Sequence, residues 1–221
     1  MIRKVIFITL FFSIALLFVP ISTNATSKTF IDMPNDWSTV ALENAVANGL
    51  LKGDEGKIKA NKKITRAEVS AIISRSFGSK NMAPLEDYED IKPEDWYYFD
   101  MAKAVKMGLF EDKENDLNPN AFMTREEVFT VITKVMKLEL NDVIPENFID
   151  IDEVSNEMKA EVLALVNYGY IKGSNGRLNP KSYITRAEFA QLMDNLIKKY
   201  IYLLKIKTMM FYMVILIHYL F

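Results

Sequence analysis

The chain has 221 residues, half of them apolar and a quarter charged, with a formal net charge of −2. This is the composition of a folded domain, and its charge balance lacks the clustered basic surface that nucleic acid requires. It has no cysteine, and its single histidine is His218, which excludes disulfides, a thiol nucleophile, Cys- or His-based metal sites and a Ser-His or Cys-His pair within the body of the chain.

Residues 1–25 read as a secretory signal peptide. Arg3 and Lys4 give the positive start, 5–19 is an apolar run broken by Thr9 and Ser13, and Thr23-Asn24-Ala25 supplies small residues at a cleavage site. An uncleaved membrane anchor is the other reading, and the short run followed by small residues favours removal. Cleavage after Ala25 leaves 25 basic and 29 acidic residues, net −4.

Three units follow. Each opens with an aromatic, one residue and an aspartate: Phe30-Ile31-Asp32, Tyr88-Glu89-Asp90 and Phe148-Ile149-Asp150. Trp37 and Trp96 come next in the first two units, whereas 154–158 fills that stretch of the third. A short helix is predicted after it in each unit, from the stripes Val40, Leu42, Ala45, Val46; Met101, Ala102, Ala104, Val105; and Met158, Val162, Leu163, Leu165, Val166. Gly49, Gly108 and Gly169 are expected to end these helices in the left-handed conformation.

From each of these glycines to a threonine is 16 residues. The loops carry Gly53 and Gly56, Gly173 and Gly176, and the turn signals Asn118-Pro119 and Asn179-Pro180. The threonines, Thr65, Thr124 and Thr185, lie 59 and 61 residues apart. They open the motif Ile-Thr-Arg-Ala-Glu at 64–68 and 184–188 and its relative Met-Thr-Arg-Glu-Glu at 123–127. A repeat of this period means one supersecondary unit used three times.

Thr65 with Glu68, Thr124 with Glu127 and Thr185 with Glu188 have the spacing of a capping box. The helices that follow are amphipathic, with stripes Val69, Ile72, Ile73, Phe77; Val128, Val131, Ile132, Val135; and Phe189, Leu192, Met193, Leu196, Ile197. One such stripe cannot bury itself, whereas three can face one another. The predicted fold is all-α: a three-repeat pseudo-trimer with a central three-helix bundle, its short helices and loops forming prongs. The expected repeats span 30–79, 88–136 and 148–200, joined by polar, proline-bearing linkers at 79–87 and 137–147.

Capping explains the threonine and the glutamate but not the arginine. Arg66, Arg125 and Arg186 stand at the first helical position, where the helix dipole already disfavours a cation. Two readings stay open. The arginines bind an anion together with helix N–H donors, or each pairs with an aspartate of a neighbouring unit, with Asp32, Asp90 and Asp150 the candidates. Trp37 and Trp96 have the same duality between stacking on a sugar and anchoring the short helix. The acidic stretch 112–116 lacks the glycine and glutamate of a calcium loop, with Leu117 and Met123 in their places. No carboxylate pair stands out for glycoside hydrolysis, so no metal, cofactor or enzymatic activity is expected. The apolar end 201–221 is too short for a spanning helix. It reads as a tail anchor that would contact membrane, with Lys205 and Lys207 at the interface, or as a truncated end; the abrupt change of composition after Lys199 favours the second.

The order aromatic-x-Asp, Trp, helix, Gly-x-x-x-Gly, Asn-Pro and Ile-Thr-Arg-Ala-Glu resembles the S-layer homology domain over about residues 30–200. The resemblance implies an exported, cell-surface protein held non-covalently by a pyruvylated secondary cell-wall polysaccharide. It implies a three-pronged pseudo-trimer with ligand grooves between prongs. It assigns the pyruvate carboxylate to Arg66, Arg125 and Arg186, and the close approach of backbone to sugar to Gly53 and Gly173. Unit two departs from the pattern, because Asp112 replaces the loop glycine and Glu126 the motif alanine. Both add negative charge, so the groove using Arg125 is expected to be weak or unused. The rival readings are a self-associating surface-layer subunit, partnered by surface-layer proteins, and a hydrolase of wall polysaccharide.

Overall fold

The computed structural model describes residues 30–110 and 115–220, with side chains as far as 211 and at 213. The signal peptide expected at 1–25, the loop residue Asp112 and the side chain of His218 lie outside these. The described residues form six α-helices: α1 Thr39–Ala47, α2 Arg66–Phe77, α3 Tyr98–Lys106, α4 Arg125–Met136, α5 Lys159–Asn167 and α6 Arg186–Leu220. Two 3-10 turns, Ile151–Glu153 and Asn156–Met158, occupy the stretch of the third unit that lacks a tryptophan. Among the described residues the only extended pairing is isolated bridges, so the class is all-α as the sequence predicts.

The short helices end as their glycines require. Gly49, Gly108 and Gly169 have φ of +69°, +68° and +69°. Their N–H groups donate to Val46, Val105 and Val166, and the next residue reaches one carbonyl further back, to Ala45, Ala104 and Leu165. This is a Schellman closure. Most stripe residues are buried, but Val40, Phe77 and Ile197 are exposed, and Met158 lies in a 3-10 turn ahead of its helix.

Close helix packing crosses the repeat boundaries: α2 lies on α3, α4 on α5, and α6 returns to α1. Each pair shares one polar bond from the same position of the capped helix. Ser74 Oγ donates to Asp100, Thr133 Oγ1 donates to the Glu161 carbonyl at 2.8 Å, and Asp194 accepts from Asn44 Nδ2 at 2.8 Å. These three positions are buried inside otherwise apolar faces, where a polar group is tolerated only with a partner.

The residues just ahead of α2, α4 and α6 meet one another. Ile64 N–H donates to Ile184 O (3.1 Å), Ile184 N–H to Met123 O (3.0 Å), and Met123 N–H to Ile64 O (3.1 Å), so the bonds form a closed triangle. Ile64, Met123 and Ile184 are all buried there.

Residues 201–220, expected as a separate tail, continue α6 without a break. Tyr200, Tyr202, Leu203 and Leu204 are exposed on it. Among the described residues no helix is long and apolar enough to cross a membrane.

Candidate functional site

The capping boxes form as their spacing predicts. Thr65 Oγ1 accepts from Glu68 N–H at 3.2 Å while Glu68 Oε2 accepts from Thr65 N–H at 2.9 Å. Thr124 with Glu127 and Thr185 with Glu188 do the same. The first two N–H groups of each helix go to the loop of the next repeat: Arg66 and Ala67 to Ala121 and Pro119, Arg125 and Glu126 to Ser182 and Pro180, Arg186 and Ala187 to Lys62 and Ala60. The first three donors of every capped helix are therefore taken. None of these three is left for an anion, as the first of the two open readings would have used them.

The arginines also cross to the next repeat, but not to the aspartates that spacing suggested. Arg125 Nη1 donates to Glu188 Oε1 at 3.0 Å, Arg186 Nη1 donates to Glu68 Oε1 at 3.0 Å, and Arg66 lies 3.6 Å from Glu127. Each partner is the capping glutamate of the following repeat, with the third returning to the first. Asp32, Asp90 and Asp150 have a local task instead. Each accepts two backbone N–H groups of its own loop, from Ile58 and Lys59, Leu117 and Asn118, and Leu178 and Asn179. The second donor in each pair has positive φ, between +50° and +53°, so the carboxylate clamps a strained turn.

The three arginines differ in what they leave open. Arg186 is closed: Nε donates to Ile58 O, Nη2 to Lys52 O, and the side chain is only 8% exposed. The Arg66 guanidinium stacks on Phe110 at 5.0 Å. Arg125 stacks on Phe129 at 5.3 Å and donates from Nε to Leu178 O at 2.6 Å. Its Nη2 makes no hydrogen bond among the described residues. Burial holds the Arg125 pKa below the usual arginine range, against Glu188 and Asp150, which raise it.

Arg125 lines a cavity of about 540 Å³. The wall is built by all three repeats: Arg125 and Phe129 from α4, the loop Tyr170 to Ser174, the face of α6 bearing Glu188, Gln191 and Asn195, and Trp37 from the first repeat. Trp37 reaches it because α6 packs back on α1. Neither tryptophan anchors its helix in the core; Trp37 and Trp96 are 62% and 63% exposed. Trp96 stands edge-on to Tyr97 and does not line the cavity. Lys172 does line it and has no carboxylate partner among the described residues. The cavity therefore holds two cations against Glu188, which is already paired.

Of the residues expected from sequence, the structure gathers Arg125, Trp37 and Gly173 in this cavity, and leaves Arg66, Arg186, Trp96 and Gly53 away from it. The glycines have a reason that owes nothing to a ligand. A Cβ at Gly53 would sit 1.9 Å from the Phe30 ring, and one at Gly173 would sit 2.5 Å from the Phe148 ring and from the Arg177 carbonyl. Sequence reasoning missed Lys172, Gln191 and Asn195. Lys172 was findable, since it directly precedes the loop glycine, but the amides look like ordinary solvated helix positions.

Of the two acidic residues expected to weaken the Arg125 groove, Asp112 lies outside the described residues. Glu126 does not line the cavity. It is buried, paired with Lys181 Nζ at 2.7 Å, and accepts from Ser155 N–H and Oγ at 2.9 Å each. The loop that lines the cavity with Arg125 belongs to repeat three, and Phe110 of the second repeat packs against Arg66. Among the described residues no group of His, Cys, Asp and Glu is arranged to hold a metal.

The described residues are thus three helical repeats, each passing its arginine to the next, with a cationic, aromatic-walled cleft lined by all three. The family model of the S-layer homology domain matches residues 29–70, 87–129 and 147–190, and the chain belongs to this family. It is 30% identical over 186 residues to the surface-layer 125 kDa protein of Lysinibacillus sphaericus, an alignment covering 81% of this chain and 16% of that protein. It is 28% identical over 186 residues to S-layer protein sap of Bacillus anthracis, covering 80% and 22%, and 28% over 179 residues to the amylopullulanase of Thermoanaerobacterium thermosulfurigenes, covering 78% and 10%. The chain spans between a tenth and about a fifth of the length of these relatives.

Proposed function

We propose that this chain is a non-catalytic anchoring module that acts outside the cell, holding to the cell wall through a pyruvylated secondary polysaccharide. The observation that carries the reading is the Arg125 cavity, where Arg125 and Lys172 offer cationic donors and Trp37 an exposed ring. A carboxylate accepts charge-assisted bonds from such a pair, and a sugar face stacks on the indole. The repeats are read as a pseudo-trimer closed by the three hydrogen bonds before the capped helices. Relatives named as surface-layer proteins and as a polysaccharide-degrading enzyme fit a shared attachment module joined to different partners. A repeating polymer engaging many such chains would be retained more firmly than one contact allows.

The test is co-sedimentation of the protein with purified cell walls before and after mild-acid removal of ketal pyruvate. Arg125 also ties two repeats together, so its alanine variant confounds binding with folding. Trp37→Ala and Lys172→Ala are cleaner, because neither side chain holds the fold. Each is expected to weaken binding about tenfold, the equivalent of about 1.4 kcal/mol. Pyruvate-independent binding, or full binding by the double variant, overturns the proposal.

A further inference from the structure

The same groove carries a polar feature that its charges do not explain. Gln191 and Asn195 lie one turn apart on α6, both half-buried, and both line the cavity. Gln191 Nε2 donates to Asn195 Oδ1 at 2.9 Å. That bond fixes the amides side by side and leaves Gln191 Oε1 as an acceptor and the Asn195 amino group as a donor. The corresponding positions are Ala71 and Arg75 on α2, and Thr130 and Lys134 on α4. Arg75 is turned to Asp100 at 3.6 Å. Only α6 carries an amide pair there, and both amides line the cavity.

Glu188, Gln191 and Asn195 follow one another along one face of α6, over about 10 Å at 1.5 Å per residue. Glu188 marks the cationic end, where Arg125 holds it. The amides continue that lining face of α6 beyond Glu188. A carboxylate only accepts hydrogen bonds, so it can use the donors of Arg125 and Lys172 but offers nothing to the free acceptor of the amide pair. A hydroxyl or acetamido group, which both donates and accepts, matches them.

Resting on the anion-binding reading, we propose that Gln191 and Asn195 are specificity-determining residues that read the neutral polar substituents of the sugar ring next to the carboxylate. The ligand class is then an acidic saccharide gripped at two points, with its carboxylate at Arg125 and Lys172 and its ring between Trp37 and the amide pair. A bare carboxylate fills only the first. A ligand that enters without matching groups leaves the amides desolvated and unpaired, which is the strongest form of discrimination a polar pocket has. A purely structural i,i+4 pair would instead brace the helix slightly and contribute nothing to binding.

Two probes separate these roles: sodium pyruvate, and the methyl glycoside of a 4,6-pyruvylated hexose. Both are titrated into 15N-labelled protein, following the Trp37 indole resonance. The protein is expected to bind the glycoside more tightly than pyruvate. Gln191→Ala/Asn195→Ala is expected to reduce that preference about tenfold and to leave the pyruvate affinity within about twofold. Gln191→Met/Asn195→Leu keeps the bulk of the side chains and does not lower helix propensity, so the same loss in this variant excludes a collapsed pocket. An undiminished preference in both variants shows that the amides only brace the helix and overturns the inference while the anion site stands. Equal loss of both probes also overturns it, since the amides would then shape the cleft without reading the ring. Failure of the unaltered protein to bind either probe overturns the anion-binding reading itself.

Discussion

At Gly53 the space a side chain would occupy is already filled by the edge of Phe30, the aromatic that opens the same repeat. Gly53→Ala is expected to cost about 1–3 kcal/mol through overpacking, read as a drop in melting temperature. Phe30→Leu added to it is expected to recover part of the loss, which a ligand-contact role for Gly53 would not allow. Asp32 gives the pH dependence. Burial pushes its carboxyl up, but the N–H groups of Ile58 and Lys59 outweigh burial and hold it below the ordinary carboxylate range. On acidification the unfolded chain protonates Asp32 first, so the contribution is present above the ordinary carboxylate pKa and is lost as pH falls through the folded value. Asp32→Asn is expected to flatten the acid limb of a plot of melting temperature against pH. The aromatic, the aspartate and the glycine were each legible in the sequence as repeated signs. Their mutual contacts were not, because packing of a ring over a glycine leaves no periodic trace.

Among the helices, the sequence signals that worked best were the local ones. A capping box and a left-handed glycine are satisfied within a few residues, so spacing alone identifies them. The partner of each arginine lies in another repeat, beyond the reach of such patterns, and the choice of glutamate over aspartate is set by how the loops meet. The glutamates thus serve twice, as caps and as counter-ions, and unequally. Glu68 faces an arginine that is 8% exposed, at 3.0 Å; Glu127 faces one that is 21% exposed, at 3.6 Å. Removing the partner of a more buried cation costs more. Glu68→Ala is expected to lower stability by about 2–4 kcal/mol. Glu127→Ala is expected to cost nearer the 1 kcal/mol of a lost cap, as chemical denaturation would measure. Equal losses would mean that Arg186 draws nothing from Glu68.

Across the whole molecule, the sequence repeat is not the packing unit. Amphipathic stripes announce that helices must be covered, but every stripe is a plausible partner for every other, and pairing is decided by the loops that carry the chain from one repeat to the next. The first helix of each repeat is covered by the capped helix of another. Residues 88–136 alone are therefore expected to be unfolded by circular dichroism, and the three repeats together to melt in one transition. Independent melting of a single repeat would contradict the cross-packed arrangement. Which residues share the groove could not be read repeat by repeat, since Trp37, Arg125 and Lys172 belong to three different units.

Glu126 shows what this arrangement imposes on descent. Where the sister repeats have alanine, at Ala67 and Ala187, it places a buried carboxylate, and its cation sits not in its own repeat but in the next, as Lys181, where the sisters have Asn61 and Asn120. A change in one copy of the motif is answered in another copy. The three units can thus drift apart in sequence only as a set. Exchanging one for a duplicate of its neighbour would strand a charge in each direction, which is a reason for tandem copies so alike in outline to remain distinct in detail.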